Sequence, residues 1–343
     1  MSEHQFWRIT LDTNPDNCNL NCIMCEDHSP YATSKAERKK AGTLRPIMKP
    51  DLLEKVIREA AVMGIRDIIP STMGEPLLYP YFDRFLDLCH ELGLRLNLTT
   101  NGTFPAPEKH HNVEYWARRI VPIASDVKIS WNGASEATQR DIMRGTSLAS
   151  HIDNAQRFIA VRDAISDQHY CSMTMQLTFL RSNLDEIPAL LELAIALGFD
   201  RLKGHHLWAH FAEIENQNLR NDLVYAERWN QVVKHCQSVV ELHNRTATRQ
   251  FRLDNFFELS LENLEDIAPN GACPFLGKEI WVDPSGRFNV CCAPDQQRQT
   301  LGNFGSVADT PLVNLVDSDV YNQLLQSYQH HTLCKGCNMR RPA

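Results

Sequence analysis

Eleven of the 343 residues are cysteines, and their spacing is where chemistry is first visible. Three stand together in Cys18-Asn19-Leu20-Asn21-Cys22-Ile23-Met24-Cys25. Three thiolates bind three irons of a four-iron cubane and leave the fourth iron open to a small molecule. A structural zinc site wants four protein ligands. His28 is the nearest further donor, so composition alone leaves zinc open here. A second group follows much later: Cys273, Cys291, Cys292, and the knuckle Cys334-Lys335-Gly336-Cys337. Four thiolates complete a [4Fe–4S] site, and they suit a zinc ribbon as well. Met1-Ser2-Glu3-His4-Gln5 has no apolar h-region. A cytoplasmic, reducing setting is therefore expected, where metal ligation explains cysteines better than disulfides do.

The first spacing, three residues and then two, resembles that of the radical S-adenosylmethionine (SAM) superfamily. The resemblance implies a [4Fe–4S] cluster on Cys18, Cys22 and Cys25, with SAM chelating the open iron. It further implies reductive cleavage of SAM to methionine and a 5′-deoxyadenosyl radical that abstracts hydrogen from a substrate carbon. An electron donor such as flavodoxin or ferredoxin is then required. The residue before the third cysteine is usually aromatic in this family; here Met24 takes its place beside the adenine. Met73-Gly74-Glu75-Pro76 resembles the family's Gly-Gly-Glu-Pro motif. It implies that the backbone at Gly74 and the Glu75 carboxylate receive the SAM ammonium, since glycine allows close approach and a carboxylate is a strong acceptor. Thr100-Asn101-Gly102 is a turn signal, and the family faces such residues to SAM. Ser130 and Asn132 are implied on the ribose hydroxyls and Arg144 on the SAM carboxylate, matching a hydroxyl and amide to a diol and a guanidinium to a carboxylate. Gln176 reads as a solvated strand end.

The second cysteine group resembles the shortened SPASM region called a twitch domain. Cys273, Cys291, Cys334 and Cys337 are then the ligands of one auxiliary [4Fe–4S] cluster. Gly286 and Leu301-Gly302-Asn303 fit the same layout, and spacing favours Cys291 over Cys292. Cys292 becomes a spare thiol beside the cluster, able to return a hydrogen atom to a substrate radical. Cys89, Cys171 and Cys236 carry no such pattern, and Cys89 reads as a small core residue.

These motifs must be positioned by elements. Between residues 50 and 203, helical stretches with apolar 3.6-residue spacing alternate with short β-rich runs. The runs are Ile65–Ile69, Leu94–Leu98, Val127–Trp131, Met173–Leu177 and Arg201–Lys203. Strand–helix repetition with short connections predicts a parallel sheet, and about six units predict a partial (βα)6 barrel rather than a closed one. The SAM motifs all fall at C-terminal strand ends, where such folds place their sites. The expected organisation is a barrel over 1–209, a helical linker over 210–262, and a twitch-type unit over 263–343. In the last, Pro284-Ser285-Gly286 predicts a hairpin turn.

Lys203, His205 and His206 leave the sixth strand together with His210. They are expected to bind a substrate carboxylate or phosphate, or to take a proton from the substrate radical. A formal net charge of -7 argues against a nucleic-acid partner, and the basic run Lys35–Lys40 reads as a solvated face. No stretch is long and apolar enough to span a bilayer. Only 17 residues precede Cys18, so no leader-binding domain is expected there. A polar small molecule is therefore the expected substrate, oxidised or epimerised in a natural-product pathway. Two alternatives stand beside it: a maturase that modifies or crosslinks a ribosomally made peptide, and a non-catalytic zinc scaffold.

Overall fold

The computed structural model describes residues 6–71, 73–264, 271–337 and 339–340; the N-terminal reading over Met1–Gln5 lies outside them. Strand β1 (Arg8–Leu11) leads into a long loop holding β2 (Asn21–Cys22) and helix α1 (Ser34–Ala41). Helix α2 (Pro50–Val62) then feeds β3 (Asp67–Ile69), α3 (Phe82–Glu91) feeds β4 (Arg95–Thr100), and α4 (Val113–Ile120) feeds β5 (Ala124–Ser130). Helix α5 (Glu136–Ile142), the short β6 (Met143–Arg144) and α6 (Leu148–Ala164) precede β7 (Ser172–Phe179). Helix α7 (Ile187–Leu197) precedes β8 (Arg201–His206). The expected strands β3, β4, β5, β7 and β8 lie side by side with β1 at their edge, all parallel.

The sheet extends beyond them at both edges. Helix α8 (Leu223–Asn244) is followed by β9 (Arg252–Asp254), parallel to β8 and inside the stretch read as a helical linker. Three residues with one apolar side chain are too short for strand periodicity to show. At the opposite edge β10 (Glu279–Val282) runs parallel to β1 and carries β11 (Phe288–Asn289) antiparallel across the predicted turn. The C-terminal hairpin is thus built onto the barrel sheet. Helices α9 (Asp295–Arg298), α10 (Leu312–Val316), α11 (Asp319–Ser327) and α12 (Thr332–Lys335) complete that end.

The two faces of the sheet differ in chemistry. One face turns Ile9, Leu11, Ile68, Leu98, Val127, Ile129, Met173, Met175 and Leu202 to the helices, all buried. Helix α2 answers with Leu53, Val56, Ile57 and Ala60 from one stripe. Each fully buried aliphatic side chain contributes about 2 kcal/mol. The other face, the concave interior, is polar. There Arg8 approaches Glu279 at 3.6 Å, Lys128 approaches Asp126 at 3.1 Å, and Arg201 reaches Asp126 at 2.6 Å. Thr174 Oγ1 donates to Asp126 at 2.8 Å. The barrel floor is therefore closed by paired charges, which leaves its C-terminal rim for a ligand.

Candidate active site

The three-thiol loop hangs from the end of β1, and its lead-in is sewn to the loop after β3. Thr13 Oγ1 donates to the Pro70 carbonyl at 2.7 Å. Asn14 Nδ2 donates to the Glu75 carbonyl at 3.0 Å, and Asn17 Nδ2 to that of Leu78 at 3.2 Å. The Glu75 N–H in turn reaches the Asn17 carbonyl at 2.8 Å. Gly74 has φ 73°, and a Cβ there would stand 2.4 Å from the Asn14 oxygen and 2.7 Å from that of Asn17. Only glycine is accommodated. The motif keeps its glycine where backbone meets backbone and tolerates Met73 one position earlier. Sequence reasoning passed over Asn14 and Asn17; their signal is two amides just ahead of the first cysteine.

On its other side the loop is held by a two-stranded pairing. Asn21 pairs with Arg144 and Cys22 with Met143, and the Ile23 N–H reaches the Ile142 carbonyl at 3.0 Å. Leu20, Ile23, Ile142, Met143, Leu180, Leu207 and Ile214 form a buried apolar patch behind the loop, with Cys18, Cys22, Met24, Tyr31 and Phe211 packed against it. Arg144 is exposed, and its guanidinium lies 5.9 Å from the centre of the Tyr31 ring.

Cys18, Cys22 and Cys25 are free and partly buried. Burial pushes all three thiols up, Cys25 to about 11, and the facing sulfurs add to the effect at Cys22 and Cys25. Three close sulfurs opposing one another's ionisation are what a bound cation relieves, because coordinated thiols are deprotonated outright. The set also has stabilising donors: His28 N–H to Cys25 Sγ at 3.4 Å and Asn101 Nδ2 to Cys18 Sγ at 3.8 Å. His28 Nε2 sits 2.8 Å from the Pro15 carbonyl, so this histidine is engaged by the backbone. The residues therefore fit a cubane held by three thiolates.

Several polar residues expected on SAM have other work. The Glu75 carboxylate accepts from Thr100 Oγ1 at 2.8 Å, Asn101 N–H at 2.7 Å and Leu77 N–H at 3.2 Å. It ties the loop after β3 to the end of β4, and with the residue 1% exposed its side chain is withdrawn from a ligand. Burial lifts its pKa to about 7 against those three hydrogen bonds. Thr100 is likewise spent on Glu75. Asn132 Oδ1 accepts from Thr178 N–H at 2.8 Å in a buried turn, while Gln139 Oε1 receives the Asn132 and Gly133 N–H groups at 2.9 Å. Asn132 thus shapes the rim between β5 and β7 instead of presenting its carbonyl to a ribose. Ser130 is partly exposed on the concave face, and Asn101 also bonds Asn19 Oδ1 at 2.8 Å beside Cys18.

The histidine group at the end of β8 divides. Lys203 neighbours Gln176, and His205 neighbours Thr178, on the concave face. His206 points the opposite way, because successive side chains of a strand alternate. It is buried against Phe179 and Trp229 with neither ring nitrogen hydrogen-bonded, and burial lowers its pKa to about 3. It is a core residue, not a substrate contact. Asn255 Nδ2 donates to the Gly204 carbonyl at 2.9 Å and meets His205 Nδ1 at 3.2 Å. His205 Nδ1 therefore accepts, and the neutral ring carries its proton on Nε2. With Nδ1 engaged by Asn255, that nitrogen is not free to take a proton from a substrate radical.

The later cysteines meet in one apolar cavity. Cys273, Cys291, Cys292, Cys334 and Cys337 line it together with Trp208, Phe275, Val290 and Leu333. The N–H groups of Leu276 and Met339 point at Cys273 and Cys337 sulfurs, each at 3.4 Å. Burial raises Cys291 to about 11 and Cys334 to about 12. Cys334 feels Cys273, Cys291 and Cys337, whereas Cys292 also feels Glu279 on the barrel's concave face. A dry pocket walled by thiols suits a four-iron cluster. Cys89, Cys171 and Cys236 are buried away from this cavity's lining.

Comparison with known proteins places this geometry. Residues 15–194 match the model of the radical SAM superfamily, and residues 273–338 match an iron–sulfur cluster-binding domain, SPASM. The PqqA peptide cyclase of Methylobacterium nodulans is 27% identical over 198 residues, covering 56% of this chain and 46% of that protein. The S-adenosyl-L-methionine-dependent tRNA 4-demethylwyosine synthase of Mus musculus is 29% identical over 146 residues, 41% of this chain and 18% of that one. The chain thus spans less than half the length of these relatives. In fold it is similar to Streptococcus suis SuiB bound to S-adenosylmethionine, with a TM-score of 0.67 at 15% identity, over 98% of this chain and 72% of SuiB. SAM and [4Fe–4S] clusters are the cofactors of these domains. The three-thiol loop and the five-thiol C-terminal cavity thus sit on a chain that belongs to the radical SAM superfamily and carries a SPASM/twitch-type auxiliary iron–sulfur domain.

Proposed function

We propose that this chain modifies a peptide substrate by radical SAM chemistry, in place of the small molecule expected from its polar strand end. The observation that carries the reading is an open polar groove at the rim. It runs between residues 207–221 and α12, with Glu215, Asn218, Arg220 and Asn221 on one wall and Thr332 and Leu333 on the other. An extended chain needs such a groove, with side-chain donors and acceptors for its own N–H and C=O groups. Trp208 and Leu333 line both this groove and the five-thiol cavity, so a chain lying there passes the auxiliary site. The relatives support the same substrate class: one is named a peptide cyclase, and SuiB has been seen bound to a precursor peptide.

When bound, the reduced cluster and SAM supply a 5′-deoxyadenosyl radical that takes a hydrogen atom from the substrate. The chain's own residues do the rest. Cys18, Cys22 and Cys25 hold the first cluster, and the apolar patch behind them keeps water from it. Backbone carbonyls around Gly74 would receive the SAM ammonium in place of the Glu75 side chain. Arg144 and Ser130 would receive the SAM carboxylate and ribose, and Met24 would pack beside the adenine. Lys203 and His205, two residues apart on the concave face of β8, would meet the substrate there. Cys273, Cys291, Cys334 and Cys337 hold the auxiliary cluster. Cys292 lines the same cavity and would be the spare thiol beside the cluster. The domain limits we propose remain 1–209, 210–262 and 263–343, with β9 in the middle unit.

Isotope transfer tests the substrate class. The reconstituted enzyme is incubated anaerobically with SAM, reductant and either a perdeuterated peptide pool or a perdeuterated sugar and cyclitol pool. Mass spectrometry of the 5′-deoxyadenosine should show deuterium from the peptide pool. Deuterium from the sugar pool alone would return the enzyme to small-molecule chemistry.

A further inference from the structure

Helix α1 is held in an unusual way. Unlike α2, α3, α4, α6, α7 and α8, it buries none of its residues. An eight-residue helix without a packed face is marginal in water. Two arginines keep it in place. Arg38 reaches Asp16 at 2.7 Å and Asp27 at 3.1 Å, and Arg45 reaches both aspartates at 2.7 Å. Asp16 lies two residues before Cys18, and Asp27 two after Cys25. The excursion through α1 is therefore clamped across both ends of the three-thiol loop.

The charges left over face outward. Lys39, Lys40 and Lys49 are exposed and Lys35 half-exposed, and none has an acid within ion-pair distance among the described residues. Glu37 is the one acid on the helix. This cationic face stands on a chain of net charge -7. Leu44 and Ile47, 45% and 43% exposed, add an apolar border. The face also adjoins the thiols, because Arg38 and Arg45 hold Asp16 and Asp27 at either end of the three-thiol loop. A cationic rim with apolar contacts, next to a site that must receive electrons, is complementary to an acidic protein that delivers them.

We propose that α1 and the segment through Lys49 form the docking face for an acidic one-electron carrier protein that reduces the cluster at Cys18, Cys22 and Cys25. This rests on the radical SAM reading, which requires such a reductant. In the step one electron leaves the carrier's reduced centre and enters the [4Fe–4S]2+ cluster, giving [4Fe–4S]+; no bond or proton moves.

Stopped-flow bleaching of the reconstituted enzyme tests it. The variant Lys35→Glu/Lys39→Glu/Lys40→Glu is compared with wild type using reduced flavodoxin as an acidic carrier. Photoreduced deazariboflavin serves as a small reductant with no docking requirement. At low ionic strength the flavodoxin rate should fall about tenfold or more and lose most of its salt dependence, while the deazariboflavin rate stays unchanged. The Lys→Gln version of the same three sites, gentler on the fold, should fall between. Equal flavodoxin rates and salt slopes in wild type and variants would overturn the docking face. So would wild-type reduction rates in a variant that has lost only peptide turnover, which would assign the face to the substrate. A wild type that neither reductant bleaches would instead overturn the radical SAM reading itself.

Discussion

The Glu75 carboxyl sits among three donors in a nearly sealed turn, and burial still lifts its pKa to about 7 from the usual 4.5. A group held protonated more tightly in the folded state stabilises it fully below the unfolded pKa. That stability is lost as pH rises through the folded value. Glu75→Gln cannot ionise, so its stability deficit relative to wild type should shrink from pH 5 to pH 8 in anaerobic urea unfolding. A constant or growing deficit would mean the carboxylate is charged throughout. His206 has the opposite sign. Its pKa is lowered to about 3, so the stability it carries is present above pH 6.5 and is lost as pH falls towards 3. Two unpartnered ring nitrogens among Phe179 and Trp229 cost more than an aromatic hydrocarbon there. His206→Phe should gain about 1 kcal/mol at neutral pH, and a larger margin at pH 5, with unchanged SAM cleavage. Loss of cleavage would restore His206 to the chemistry.

At the scale of elements, the clasp over the thiol loop carries the clearest consequence. Asp27 is 4% exposed, and Arg38 and Arg45 both serve it and Asp16. Removing one partner of a largely buried pair leaves uncompensated charge behind. Arg45→Gln should destabilise the loop by roughly 2 kcal/mol and speed loss of the first cluster's iron to a chelator several-fold, with the auxiliary iron untouched. Equal chelation rates would show that the lacing of Asn14 and Asn17 to the 74–78 turn suffices alone. Strand β8 shows how an element sorts its residues: the two-residue period sends Lys203 and His205 to the cavity and His206 to the core. Gly204 belongs to the core side too, since a Cβ there would stand 2.1 Å from the Phe179 ring.

At the scale of the molecule, one sheet carries both thiol sites. The first hangs from β1, and the second is reached from β10, which pairs with β1 in register from Arg8 opposite Glu279 to Leu11 opposite Val282. Two four-iron sites predict about eight irons in the reconstituted protein, and about four when Cys18, Cys22 and Cys25 are all alanine. Cys291→Ala should cost the auxiliary four, whereas Cys292→Ala should keep all eight, on the spacing that favours Cys291; all five thiols line the cavity. Iron loss in Cys292→Ala alone would exchange the two assignments, and zinc in place of the auxiliary iron would make that site structural.

What the sequence determined by itself was whatever a short run of residues can encode: two thiol groups and about six strand–helix units with apolar faces. Ligand spacing and hydrophobic period are local, so they survive without coordinates. The tertiary structure decided the rest. Glu75 and Asn132 were withdrawn from SAM because their partners, Thr100, Asn101 and Thr178, arrive from other strands. Strands β9 and β10 joined the sheet through pairing with distant edges, a satisfaction of backbone hydrogen bonds that a three- or four-residue run cannot announce. A basic run that reads as solvated became a face beside the thiol loop only when Arg38 and Arg45 closed on aspartates at either end of it. Such contacts are made between residues far apart in the chain, and only the fold brings them together.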